Sequence, residues 1–105
     1  MVLAIDIGNT NIVIGCIQNK ECLFVERLST VHQKTEIEYA IDIKTVLDIY
    51  HIDVEQIEGG IISSVVPQVT DAAKLALEKI LKKNVMVVGA GVKTCLLYTS
   101  PSPRD

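Results

Sequence analysis

The stretch "LAIDIGNTNIVIGC", Leu3 to Cys16, sets one acid, Asp6, inside an otherwise apolar run and follows it with Gly8-Asn9-Thr10. Val2 to Ile7 is short and apolar apart from that acid, the pattern of a strand buried on both faces. Gly-Asn-Thr supplies turn chemistry, because Gly and Asn tolerate positive φ and Asn or Thr can bond nearby backbone. Asn11 to Ile17 is again β-branched and apolar, so the two runs predict a hairpin. An aspartate at the end of a buried strand either helps that turn or faces something charged above it.

Working outward, "QNKE", Gln18 to Glu21, makes the next turn, and "CLFVERL", Cys22 to Leu28, a third and more exposed strand. Thr35 and Glu38 have capping-box spacing at the start of a helix over Thr35–Tyr50. Its Ala40, Ile43, Leu47 and Tyr50 recur at three- and four-residue steps and are expected to face the sheet. Gly59-Gly60 then precedes a fourth strand over Ile61–Val66. Pro67 suits the first turn of a second helix, where its missing donor costs nothing. Val69, Ala73, Ala76, Leu77 and Ile80 make that helix's buried stripe, with Lys74, Glu78 and Lys82 paired outside it at i,i+4. Val85 to Val88 is a fifth strand.

The order β-β-β-α-β-α-β gives an α/β fold: a mixed sheet whose first three strands pair by hairpins. Its last two strands join through helical crossovers, which require parallel neighbours. The final "CLLYTSPSPRD", residues 95–105, breaks this logic and is expected to be a disordered or non-native tail. Residues 1–94 are then one half-domain with its own pattern.

The totals narrow the function. With 105 residues there is room for one domain, and 49% apolar residues supply an aliphatic core. A formal charge of −3 excludes a strongly basic nucleic-acid binder but permits a local phosphate site. Lys79, Lys82 and Lys83 gather where a helix should end, which favourably opposes its dipole. Cys16, Cys22 and Cys95 show no C-x-x-C spacing and leave an odd count, which fits a reducing cytosol better than a disulfide scaffold. The N-terminus does not read as a signal peptide, and no apolar run approaches the ~18 residues of a membrane span.

Asp6 sits at the carboxyl end of the first strand, where sheets of this kind bind ligands. The turn after it exposes backbone N–H groups, the Asn9 amide and the Thr10 hydroxyl, and Gly8 removes a side chain that would hold an anion off the backbone. Such a turn can cradle phosphate. Two anions repel, so Asp6 would act there through a magnesium ion that bridges phosphate oxygens. A plain polar hairpin accounts for the same residues.

The segment "AIDIGNTNIVIG" resembles the first phosphate motif of the sugar kinase, heat-shock protein and actin superfamily, and more closely the N-terminus of type III pantothenate kinases. "ISSVVP", Ile62 to Pro67, and "VGAGVKT", Val88 to Thr94, extend the resemblance. It implies the ribonuclease-H-like first half-domain of an actin-like ATPase fold. It also implies a cytoplasmic, homodimeric enzyme that moves the γ-phosphoryl of ATP to pantothenate, using Mg2+ and a monovalent cation, K+ or NH4+. On the matching positions, Asp6 would organise the metal. Ile7, Gly8, Asn9, Thr10, Asn11, Ile12 and Val13 would line the ATP phosphates, largely through backbone.

The sequence departs from the family at Ala90, where Pro is common, and at Cys95, where Gly is. It contains no Gly-Ala-Asp-Arg motif, the family's base and pantothenate grip, and no second phosphate loop. The chain therefore reads as an inactive N-terminal fragment. A non-catalytic nucleotide- or partner-binding module of the same superfamily, or a sugar or acetate kinase relative, are the other readings. Ser63 and Ser64 fit helix capping, with contact to a substrate between the halves as the alternative. His32 and His51 read as surface or helix-end residues, and Cys16 and Cys22 as apolar filler.

Overall fold

Alternation along the first hairpin decides which face of the sheet becomes the core. The computed structural model describes residues 1–88. In it β1 (Val2–Ile7) and β2 (Asn11–Gln18) pair antiparallel, with Ile7 opposite Ile12, Ile5 opposite Ile14 and Leu3 opposite Cys16. All six side chains are buried on one face. β3 (Glu21–Ser29) adds Phe24 beside Cys16. The turn between β2 and β3 is the two-residue kind, with Asn19 and Lys20 at φ 54 and 67°. Left-handed backbone at both central positions matches the right-handed twist of the strands. Leu23 has no opposite number, a bulge where the register shifts between Cys16 and Ile17.

α1 (Glu36–Ile49) starts on the expected capping box: the Glu38 N–H donates to Thr35 Oγ1 at 3.4 Å and the Thr35 N–H to Glu38 Oε1 at 2.8 Å. It ends in a Schellman motif, with the Ile52 N–H donating to Leu47 O at 2.8 Å, the His51 N–H to Asp48 O at 3.1 Å, and His51 itself at φ 60°. Ala40, Ile43 and Leu47 face the core as expected, joined by Tyr39 and Val46. Tyr50 differs. It caps the helix, stays 38% exposed, stacks on Phe24 with ring centroids 4.3 Å apart, and donates to Glu26 Oε1 at 2.6 Å. Helical spacing carries it toward the sheet's edge rather than under it.

β4 spans Gly59–Ser64, two residues earlier than the Ile61–Val66 expected from sequence. Gly59-Gly60, expected to precede the strand, belongs to it: a Cβ on Gly60 would lie 2.6 Å from Leu77 Cδ2, so the glycine lets α2 (Pro67–Leu81) sit close. β4 stops at Ser64 because its Oγ accepts the Val66 N–H at 3.0 Å and the Thr70 hydroxyl at 2.7 Å, turning the chain into Pro67 at the first position of α2. Val69, Ala73, Ala76 and Leu77 are buried as expected; Leu81 completes the stripe and Ile80 is only partly covered. Lys74 pairs with Glu78 at 3.2 Å. Lys82 does not join them: it is the left-handed C-cap at φ 57°, its N–H donating to Glu78 O. Lys79 bridges to Glu36 of α1 at 3.0 Å and Lys83 donates to Ile57 O at 2.6 Å, so two of the three basic residues serve the fold.

β5 (Val85–Val88) completes a five-stranded sheet in the order β3-β2-β1-β4-β5, with β1, β4 and β5 parallel. Both helices share one buried cluster with the sheet. The opposite face, carrying Ala4, Asp6, Val13, Val25, Ile61, Ser63 and Met86, is more open, with Val25 and Met86 36% and 61% exposed. The segment Gly89–Thr94 and the tail 95–105, including Ala90 and Cys95, lie outside the described residues.

Candidate functional site

Strand parity puts Asp6 on the face opposite the helices, because its neighbours Ile5 and Ile7 are committed to the core. It is half-buried, opposite Val13 of β2 and Ser63 of β4. Among the described residues its carboxylate has no ion-pair or hydrogen-bond partner. A charged group part-way out of water with no protein partner suits a cation supplied from outside.

The turn beside it is held by its carbonyls. Thr30, just past β3, donates its hydroxyl to Gly8 O at 2.8 Å and its N–H to Thr10 O at 2.9 Å. Thr30 is itself braced by the next residue, since buried Tyr39 donates to Val31 O at 2.5 Å. With those carbonyls turned toward β3, the N–H groups of Asn9 and Thr10 are left without an acceptor among the described residues. Asn9, Thr10 and Asn11 are exposed. Two amides and three short polar side chains thus ring the strand end, a donor set suited to phosphate oxygens.

Two details differ from the sequence reading. The Gly8 N–H is not part of the free set, because it donates to Asn11 O at 2.9 Å. Nor does the turn use left-handed backbone: neither Gly8 nor Asn9 has φ in that region. What Gly8 provides is space, since a Cβ there would stand 3.3 Å from Asn11 O. Ile7 and Ile12, 0% and 3% exposed, have their side chains in the core, so only their main chain can reach a ligand. Val13 flanks Asp6 and is half-buried.

The serine pair divides. Ser64 makes the strand-to-helix joint described above, but the capping expected of the pair is not found: the N-cap of α2 is Val66, with no side-chain cap bond. Ser63 does not cap either: it is 7% exposed and stands next to Asp6. Its alternation with Ile62 was the signal available in the sequence, but only the β1–β4 register says which strand it faces.

The other candidates stay structural. His32 is an exposed turn residue and His51 a helix terminus. Cys16 is fully buried with Sγ 3.3 Å from Met1 Sδ, and burial pushes its thiol up, away from reactivity. Cys22 donates to Phe24 O at 3.0 Å. Among the described residues no three His, Cys, Asp or Glu side chains converge. Among the described residues Asp6 is thus the one carboxylate at this strand end, enough for magnesium, which usually binds through one or two carboxylates plus water and phosphate.

A family model described as type III pantothenate kinase matches residues 2–105. The chain is 36% identical, over its whole 105 residues, to a type III pantothenate kinase of Halalkalibacterium halodurans and 39% identical to one of Exiguobacterium sp.. It spans 41% of the length of each. Among solved structures, a ROK hexokinase of Thermus thermophilus superposes with a TM-score of 0.63 at 15% identity, over 84% of this chain and 34% of that one. Thermus thermophilus RuvC superposes at 0.54 and 17% identity, over 84% and 63%. At such identities these two speak for the fold alone.

Proposed function

The chain belongs to the type III pantothenate kinase family, and on that premise we propose that the whole protein transfers the γ-phosphoryl group of ATP to pantothenate, forming 4'-phosphopantothenate at the first step of coenzyme A synthesis. Its fold is the ribonuclease-H-like mixed sheet shared by sugar kinases and actin-like ATPases. The observation that carries the reading is the pairing of unpartnered Asp6 with the acceptor-free amides of Asn9 and Thr10 at one strand end.

In this proposal Asp6 holds magnesium, directly or through water, and the ion supplies charge neutralisation for the phosphates. The Asn9 and Thr10 amides, with the side chains of Asn9, Thr10 and Asn11, receive phosphate oxygens and fix their position. Thr30 keeps those amides aimed by holding the turn's carbonyls. Phosphoryl transfer depends mainly on such positioning and electrostatic stabilisation, with a base to take the acceptor's proton. The sequence contains no Gly-Ala-Asp-Arg segment for that base. We therefore assign residues 1–94 the role of first half-domain and expect the 105-residue chain by itself to be inactive. A monovalent cation, a homodimer, a cytoplasmic setting and the absence of nucleic-acid or membrane partners complete the proposal, by resemblance to the family. Among the described residues no helix is long and apolar enough to cross a membrane.

The test is Asp6→Asn in a version carrying the full length of the relatives. ATP turnover with pantothenate should fall by about 10²-fold or more, the scale of losing one aimed electrostatic group, while the thermal midpoint holds. Unchanged turnover, or parallel loss of stability and activity, would make Asp6 a turn residue and overturn the reading.

A further inference from the structure

Ser63 is buried, and unlike the buried Tyr39 hydroxyl, which donates to Val31 O, its hydroxyl has no hydrogen-bond partner among the described residues. Such a group costs stability unless something satisfies it. A serine also forfeits the packing that Val or Ile would bring to a central strand. Its neighbour shows what a structural serine looks like here: Ser64 is bonded to both Val66 and Thr70.

Register supplies the missing partner. Ser63 lies directly opposite Asp6 on the adjacent parallel strand, on the same face. Neighbouring strands are ~4.8 Å apart, so the two side chains are neighbours. Yet no bond joins them in the structure, which leaves a carboxylate and a hydroxyl side by side, both unpartnered among the described residues. Two polar groups placed so, without touching, are suited to share a third. Magnesium keeps several of its waters when it binds to protein. A hydroxyl oxygen can accept from such a water while its proton points to the carboxylate.

We propose that Ser63 is a positioning residue of the cation site, its Oγ accepting a hydrogen bond from a water in the shell of the ion held by Asp6. The inference rests on the metal reading of Asp6 proposed above. Ser63 fixes one side of the hydrated ion from β4, while Asp6 anchors it from β1. The site thereby spans two strands, and its geometry follows the rigid sheet rather than the turn.

Mn2+, titrated alone into the 105-residue chain and read by the electron paramagnetic resonance of the free ion, tests this beside thermal melts. Ser63→Ala should weaken Mn2+ about tenfold, the scale of removing a group that orients a metal's ligands, with a melting midpoint equal to or above the parent's. Ser63→Thr, which keeps the hydroxyl, should stay within about twofold of the parent. Parent affinity in Ser63→Ala, or equal weakening in the Ala and Thr variants, overturns the inference while the Asp6 reading stands. A lowered midpoint in Ser63→Ala with Mn2+ binding intact overturns it too, by making the hydroxyl a fold bond. Asp6→Asn in the same titration separates the premise: it should abolish binding. If the parent binds no Mn2+, or Asp6→Asn binds it unchanged, the metal reading fails and this inference with it.

Discussion

Gly60→Ala tests whether close approach of α2 to β4 is what that glycine secures. The added Cβ would lie 2.6 Å from Leu77 Cδ2, well inside contact distance. Leu77 is 0% exposed and belongs to the central cluster, so its end cannot swing into solvent. Forcing extra volume into a packed core costs about 1–3 kcal/mol, and replacing strand glycine by alanine returns about 0.5–1 kcal/mol of backbone entropy. The net is a loss of about 0–2.5 kcal/mol, a midpoint lowered by up to about 20 °C for a domain of this size. Thermal unfolding followed by far-ultraviolet circular dichroism reads it directly. The decisive comparison is the same change in a Leu77→Ala background. Leu77→Ala alone should cost about 2–5 kcal/mol, but it empties the space that the new methyl needs. There Gly60→Ala should become neutral or stabilising, a coupling of about 1–3 kcal/mol. The same midpoint change for Gly60→Ala in both backgrounds would refute the close-approach account and leave the early start of β4 unexplained.

Two further outcomes follow from local geometry. His51 holds φ 60° in the Schellman motif after α1, so His51→Gly should stabilise by about 1 kcal/mol, measured by urea denaturation, because glycine adopts that backbone without the Cβ conflict. Acid should destabilise the chain in part through Glu26 and Glu38: the Tyr50 hydroxyl holds Glu26 below the ordinary carboxylate range, and the Thr35 backbone and hydroxyl do the same for Glu38. With folded values depressed, the stability they add is present above the unfolded value of about 4.3 and is lost as pH falls through the lower folded values. Urea melts at neutral and acid pH should therefore differ less in Glu26→Gln/Glu38→Gln than in the parent.

The local pattern made the element order legible. The apolar runs of β1 and β2, the Thr35–Glu38 box and Pro67 are signals whose physics acts within one turn or one strand, and the elements they mark start where they put them. Asp6 and its turn were legible for the same reason: an acid inside a buried strand is anomalous in sequence before any partner is known. Recognition of the family likewise came from short motifs, read in order.

Elsewhere the deciding contacts lie far apart in the chain. Sequence places Gly59-Gly60 ahead of the strand because nothing nearby announces Leu77, and only the packed helix makes glycine necessary inside the strand. The i,i+4 spacing pairs Lys82 with Glu78, whereas helix termination claims the Lys82 backbone. The hairpin register hands the Gly8 N–H to Asn11 O, and Thr30, 22 residues on from Gly8, holds the carbonyls of Gly8 and Thr10. Ser63 and Ser64 are indistinguishable by composition, yet parity and the β1–β4 register give one to the helix joint and set the other beside Asp6. Sequence fixes what a residue can do within its own element, because those forces are short-ranged along the chain; which groups stand together across the sheet is settled by pairing and packing, which only the folded chain possesses.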